Sequence, residues 1–229
     1  MNMFQFAQIP LSYGSLNQHH LARINDTVMG ALANHDRVLV ARVDLRIPNN
    51  GGNSDNPLER DTPTCYPNTD VDLMKRFIAS LKAQKNFDQM NKARQGKPIY
   101  SCPLYYIWVR ERNTSHNEHY HVALVVNQES YYTLGQLDYE GALACMVNRA
   151  WASALGITTD DVGRSVHIPN NSTYTLNRNH PPARFQKDLG EVAVRLAYLA
   201  KTETKILGDG RRNFGCSNPR KGLIWFSRV

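Results

Sequence analysis

The chain alternates between stretches of helical period, stretches of strand period and polar connections. Residues 15–34 place Leu16, Ile24, Val28 and Leu32 at helical spacing and stop at Asn34-His35-Asp36, which predicts an amphipathic helix. The period then shortens to two. In residues 37–47, Val38, Val40, Arg42, Asp44 and Arg46 share one side of a strand while Leu39, Ala41, Val43, Leu45 and Ile47 line the other. Residues 48–68 are rich in Pro, Gly, Asn and Asp and have no apolar period, so a long loop is expected. Thr69 or Asp70 then caps a second helix, whose apolar positions Leu73, Phe77, Ile78 and Leu81 recur at helical spacing and which runs as far as Arg94, before Gly96-Lys97-Pro98.

Two strand-like runs follow, residues 104–112 and 119–127, separated by six polar residues, and the simplest local structure is a β-hairpin. After a connection over residues 128–136, residues 138–155 read as a third helix that buries Leu143, Met146, Val147, Ala150, Trp151 and Ala154 and ends at Gly156 as a C-cap. Trp151 is read as core. Residues 164–168 and 172–176 form short strands on either side of a Pro169-Asn170-Asn171 turn, and Pro181-Pro182 opens a last helix. The tail, residues 208–229, either wraps the core or clamps DNA. This order predicts an α+β domain with a central antiparallel sheet covered by helices. One domain is expected, spanning residues 1–229, with an N-terminal helical extension of about 36 residues and a basic tail from about residue 206.

Composition narrows the class. With 229 residues, 41% of them hydrophobic, the chain can bury a substantial core, and no apolar run is long enough to span a membrane. The first ten residues lack the basic and apolar segments of a signal peptide, so a soluble cytoplasmic protein is expected. Cys65, Cys102, Cys145 and Cys216 are far apart and make no Cys-x-x-Cys pair, which argues against a zinc knuckle or a disulfide framework. The net charge of +7 is localised: residues 1–177 hold 16 basic and 16 acidic side chains, residues 178–229 hold 11 basic and 4 acidic. Such a basic segment is the footprint of a phosphate-backbone binder, and Arg195, Lys205, Arg211 and Arg212 are its candidate DNA contacts.

The candidate chemistry lies in the hairpin. His119 and His121 alternate onto one face with Ala123 and Val125, and Glu111 shares that face if odd positions pair with odd, which requires a bulge or a seven-residue connection. Two imidazoles and a carboxylate would then form a ligand set for a divalent metal with room for substrate oxygens. Glu118, His116 and Asp44 compete with Glu111 for the third place. A second candidate group lies in residues 191–205, where Val192, Leu196 and Leu199 form an apolar stripe and Tyr198 and Lys201 leave the opposite side together.

Taken together, Glu111, His119-Tyr120-His121 and a late Tyr198-Leu199-Ala200-Lys201 resemble the HUH endonucleases of rolling-circle replication. More narrowly, Val43-Asp44-Leu45-Arg46, Tyr66-Pro67-Asn68-Thr69-Asp70, Trp108-Val109-Arg110-Glu111, Trp151-Ala152-Ser153-Ala154-Leu155-Gly156 and Arg212-Asn213-Phe214-Gly215-Cys216-Ser217 resemble the YagK/YfjJ family of prophage proteins, which includes replication proteins of filamentous phages (inoviruses). The resemblance spans nearly the whole chain. It implies a ferredoxin-like or RNA-recognition-like sheet with the histidines on a central strand, and Mg²⁺ or Mn²⁺ held by His119, His121 and a third polar ligand. It also implies nicking of single-stranded origin DNA, with Tyr198 joined to the 5′ phosphate, Lys201 supplying positive charge, and host helicase and polymerase as partners. Some initiators of this class carry two tyrosines on one helix; here the motif has one. Two rivals remain at this stage, a non-catalytic sequence-specific DNA-binding regulator and a zinc hydrolase, to which His₂Glu is also suited.

Overall fold

The computed structural model describes residues 1–48, 66–111, 118–203 and 209–218. Its axis is strand β1, Arg37–Arg46, which is buried on both faces for most of its length. From there the chain runs through helix α2 (Leu73–Arg94), strands β2 (Tyr105–Glu111) and β3 (His119–Asn127), helix α3 (Leu143–Leu155) and the two-residue strand β4 (Val166–His167). That βαββαβ sequence is laid out in the order β4-β1-β3-β2, with every neighbouring pair antiparallel. This is the ferredoxin-like arrangement, and it puts β3 at the centre. Strand β5 (Thr173–Asn177) pairs with the first half of β1, in line with β4 along the same edge, and β6 (Phe214–Cys216) adds to β2 on the other edge. The result is a six-stranded sheet.

Both faces of the sheet are covered, as the two apolar sides of residues 37–47 require. Leu39, Ala41, Val43 and Leu45 of β1, with Tyr120, Val122 and Leu124 of β3, pack against Phe77 and Leu81 of α2 and Trp151 of α3. Trp151 is fully buried in this layer, and its indole N–H donates to the Arg46 carbonyl over 2.9 Å. The opposite face packs Val38, Val40, Ile107, Ala123 and Val125 against helix α1 (Gln18–Asn34) and helix α5 (Pro182–Ala197). Burying each such large side chain contributes about 1.5–3 kcal/mol. Between α3 and β4 lies one short helical turn, α4 (Thr159–Val162). Among the described residues no helix is long and apolar enough to cross a membrane.

Several boundaries differ from the sequence reading, each for a local reason. Asp72, rather than Thr69 or Asp70, occupies the N-cap position of α2 and makes no side-chain cap bond, while the Asp70 carboxylate closes an Asx turn on the Asp72 amide (2.9 Å) and pairs with Arg76 (2.5 Å). Helix α3 begins at Leu143 rather than 138, since Gly141 adopts a left-handed φ of 85° just before it. Its C-cap is Gly156, at φ 70°, as expected. Near its start the tail packs against the core, one of the two outcomes read for it: residues 214–216 are the sheet strand β6, and the Ser217 amide continues the ladder to the Tyr106 carbonyl (2.9 Å).

The N-terminus is bound into the second layer. Met3 is completely buried there, and the backbone of Phe6 approaches α5 at Gly190, where a Cβ would lie 2.4 Å from the Phe6 carbonyl oxygen. In an open helix Gly→Ala gains about 1 kcal/mol of helix propensity. Here the clash is with backbone held in place by Met3, so it wins. Gly190→Ala is expected to destabilise the fold by roughly 1–3 kcal/mol in urea unfolding. A stabilised variant would show that this segment yields freely.

Candidate metal and tyrosine site

Where α1 and α5 leave the sheet uncovered, polar residues replace the core. The β2–β3 register pairs Glu111 with His119 and Val109 with His121, and the β1–β3 register pairs Asp44 with His121. Odd positions therefore do face odd positions. β2 is described as far as Glu111, and seven residues, 112–118, separate it in sequence from His119, the spacing that this register requires.

Glu111, His119 and His121 each offer a ligand atom within 4.8 Å of the others. Glu111 is fully buried, His121 nearly so, and His119 half-exposed at the open side. The His121 Nε2 lies 3.3 Å from the Glu111 carboxylate. On its other side, Nδ1 donates to Asp44 over 2.5 Å. The Arg42 Nη2 is 3.1 Å from the same nitrogen, but a nitrogen that donates to Asp44 cannot also accept, so the Arg42 guanidinium acts through Asp44, whose carboxylate is 3.5 Å from its Nε. Asp44 thus fixes the His121 tautomer that turns Nε2 toward Glu111, the usual role of a carboxylate behind a metal-binding histidine.

Titration behaviour follows from this wiring. Burial alone would lower the His121 pKa, but its hydrogen bonds to Asp44 and Glu111 outweigh that and raise it. Burial would raise Asp44, yet the His121 bond and Arg42 bring it down to about 2. His119 is lowered, by burial first and then by the charge of His121. The donor set of two imidazoles and one carboxylate, converging on an open side, fits a divalent cation of the Mg²⁺, Mn²⁺ or Zn²⁺ type.

Two of the other competitors for third ligand are engaged elsewhere. Glu118 is engaged with Arg110 (2.8 Å) and Arg211 (3.2 Å), and Asp44 stands behind His121. His116 lies outside the described residues. Arg211, read as a DNA contact, instead spends its guanidinium on Glu118 and the Thr69 carbonyl, because the tail strand brings it against the hairpin base. Arg195 donates to the Asn170 carbonyl over 3.2 Å, Arg212 is exposed, and Lys205 lies outside the described residues.

Tyr198 reaches the cluster from the end of α5. Its ring meets His121 edge to face, with centroids 5.5 Å apart. Helix α5 stops at Ala197, followed by the 3₁₀ turn Tyr198–Ala200 and an extended Lys201, so Tyr198 and Lys201 are not related by a continuous helix as their spacing suggested. They meet nonetheless: the Lys201 Nζ lies 5.2 Å from the Tyr198 ring centroid, and the Arg42 guanidinium carbon 4.7 Å from it. The helix ends because residues 200–202 pair with the N-terminal segment instead. The Asn17 amide donates to the Ala200 carbonyl (2.8 Å) and the Thr202 amide to the Ser15 carbonyl (3.1 Å). The same segment brings Tyr13 edge-on to Tyr198 at 5.7 Å.

Arg42 and Tyr13 carry no role in the sequence reading. Arg42 had a signal, since Arg42, Asp44 and Arg46 put three charges on alternate positions of an otherwise apolar strand. Tyr13 had none, because its contact crosses nearly the whole chain. Burial raises the Tyr198 phenol above its ordinary pKa, with the Glu111 charge adding to this and Arg42 opposing it.

The sequence matches the family model of the YagK/YfjJ C-terminal domain over residues 4–217. Two relatives from Escherichia coli K12 extend the comparison. The uncharacterized protein YagK is 38% identical over 196 residues, covering 86% of this chain and 90% of that protein. The uncharacterized protein YfjJ is 36% identical over 208 residues, covering 90% and 96%. No solved structure is a significant match. Every element that positions Glu111, His119, His121 and Tyr198 falls within the matched residues, and on this match the chain belongs to the YagK/YfjJ family.

Proposed function

We propose that this protein is a metal-dependent endonuclease of the HUH type that nicks single-stranded DNA at a replication origin and later rejoins it. The observation that carries the reading is the contact between Tyr198 and His121, which sets a phenol beside a two-histidine, one-carboxylate cluster. A hydrolase that used only bound water would give that phenol no task. Tyrosine beside a cation site, flanked by two further cations, suits phosphoryl transfer to a protein oxygen.

In this mechanism His119, His121 and Glu111 hold a divalent cation, Mg²⁺ or Mn²⁺. When bound, the cation draws charge from the non-bridging oxygens of the scissile phosphate and aligns it. Asp44 keeps the His121 ring in the required tautomer. The Tyr198 oxygen attacks phosphorus, the new O–P bond forms as the bond to the 3′ oxygen breaks, the phenolic proton passes to solvent, and the released 3′ oxygen takes up a proton. Arg42 and Lys201 favour the phenolate as it develops, since both place positive charge against the ring. The products are a 5′ phosphotyrosine and a free 3′ hydroxyl that a host polymerase can extend, after strand separation by a host helicase. Attack by a 3′ hydroxyl on the phosphotyrosine reverses the step and seals the strand without ATP.

The test is a labelled pool of single-stranded DNA covering the gene's own neighbourhood, incubated with Mn²⁺ and run on a denaturing gel. A protein–DNA adduct that forms with Mn²⁺ and not with EDTA is expected. Binding without an adduct at any sequence would transfer the reading to a non-catalytic DNA-binding regulator.

A further inference from the structure

On the face of the sheet opposite the ligand cluster, a groove of about 750 Å³ runs between α2 and the β2–β6 edge. Its volume is within the range of about 300–1,000 Å³ typical of sites that enclose small organic ligands. Tyr106, Trp108 and Arg110 of β2 contribute to its floor, Lys75 and Lys82 of α2 to one wall, and Arg212 to the other. Trp108 is seated by Gly215 of β6: a Cβ at residue 215 would come within 2.5 Å of the indole, so only glycine lets the edge strand approach its face.

The charge around the groove is one-sided. Lys82 and Arg212 are exposed, and among the described lining residues Asp72 is the one acid, 3.7 Å from Lys75. Arg110, 1% exposed at its side chain, is bound to Glu118 and Asp209 through its terminal nitrogens. Its Nε, also buried, has no hydrogen-bond partner among the described residues. A buried guanidinium N–H without an acceptor is costly in a protein interior, and an anionic oxygen would satisfy it.

We propose that this groove is a second nucleic-acid site, in which single-stranded DNA flanking the cleavage point lays bases against Tyr106 and Trp108 and phosphates against Lys82, Arg212 and Arg110. Aromatic platforms combined with cations are what unpaired bases and their backbone require, and they bind with little sequence preference. Arg110 and Glu111 are successive residues of β2 that face opposite ways, so the groove and the ligand cluster lie back to back across one strand. A strand held at both places would bend around the end of the sheet. That the bound strand flanks a cleavage point rests on the nuclease reading; that the groove binds single-stranded DNA does not.

The test uses the full chain in EDTA, where no adduct forms, with a fluorescein-labelled oligothymidylate as probe. Lys82→Glu combined with Arg212→Glu, both at exposed positions, is expected to weaken binding roughly tenfold and to reduce the slope of log affinity against log salt by about 1.4, the value for two lost phosphate contacts. Tryptophan emission is expected to fall on binding, and Trp108→Phe to remove that change. Unchanged affinity and slope in the double variant, with a normal Mn²⁺-dependent adduct, would overturn the groove site and leave the nuclease reading intact. The full groove effect with no adduct in the parent would do the opposite.

Discussion

Tyr198→Phe is expected to lower formation of the Mn²⁺-dependent DNA adduct by more than about 10³-fold, the scale of loss when a covalent nucleophile is removed. The substitution takes away one oxygen and little else. The ring contacts to His121 and Tyr13, and the positions of the Arg42 and Lys201 charges over the ring, depend on the aromatic face and edge, which phenylalanine keeps. Melting temperature, Mn²⁺ affinity and binding of uncleaved DNA should therefore match the parent. The phenol is held neutral in the metal-free protein, since burial and the Glu111 charge both raise its pKa. A cation bound by Glu111 removes part of that opposition, which predicts that nicking and metal loading titrate together. An adduct that survives in Tyr198→Phe would move the nucleophile elsewhere, and mass spectrometry of the adduct peptide would say where.

The second large effect is on metal binding. His119→Ala combined with His121→Ala is expected to abolish Mn²⁺ binding in calorimetry and, with it, the thermal stabilisation that Mn²⁺ gives the parent. At a hundredfold excess over the dissociation constant that stabilisation is about 2.7 kcal/mol. Asp44→Asn should give a graded result, a loss of about 10–100-fold in affinity, because the His121 tautomer is then less firmly held while all three ligands remain. Full Mn²⁺ stabilisation in the double alanine variant would sink the assignment of these residues as ligands.

Local period carried most of the fold into the sequence. Strand β1 was legible because Leu39, Ala41, Val43 and Leu45 recur at period two against a side that turns from apolar to charged, and the hairpin because its runs alternate on either side of a polar break. The Glu111–His119–His121 set was legible for the same reason, since side chains that alternate along paired strands must cluster once the register is fixed. What escaped was set by distant pairing. Lys201 has a helical spacing from Tyr198, yet the chain leaves the helix there because the backbone of residues 15–17 competes for its hydrogen bonds. β6 is three residues long and half-buried, too short for a period to show, and it exists because β2 offers an edge. Arg211 was read from charge alone, and its ion pair with Glu118, 93 residues away, left no mark in the sequence.

The pairing of residues 15–17 with residues 200–202 also sets an order of events during synthesis. A ribosome delivers Glu111, His119 and His121 well before Tyr198, which follows His121 by 77 residues. A product terminated between residues 121 and 198 therefore carries the three candidate ligands without Tyr198. Closure between the two extremities is a contact of very high sequence separation, which is slow to form.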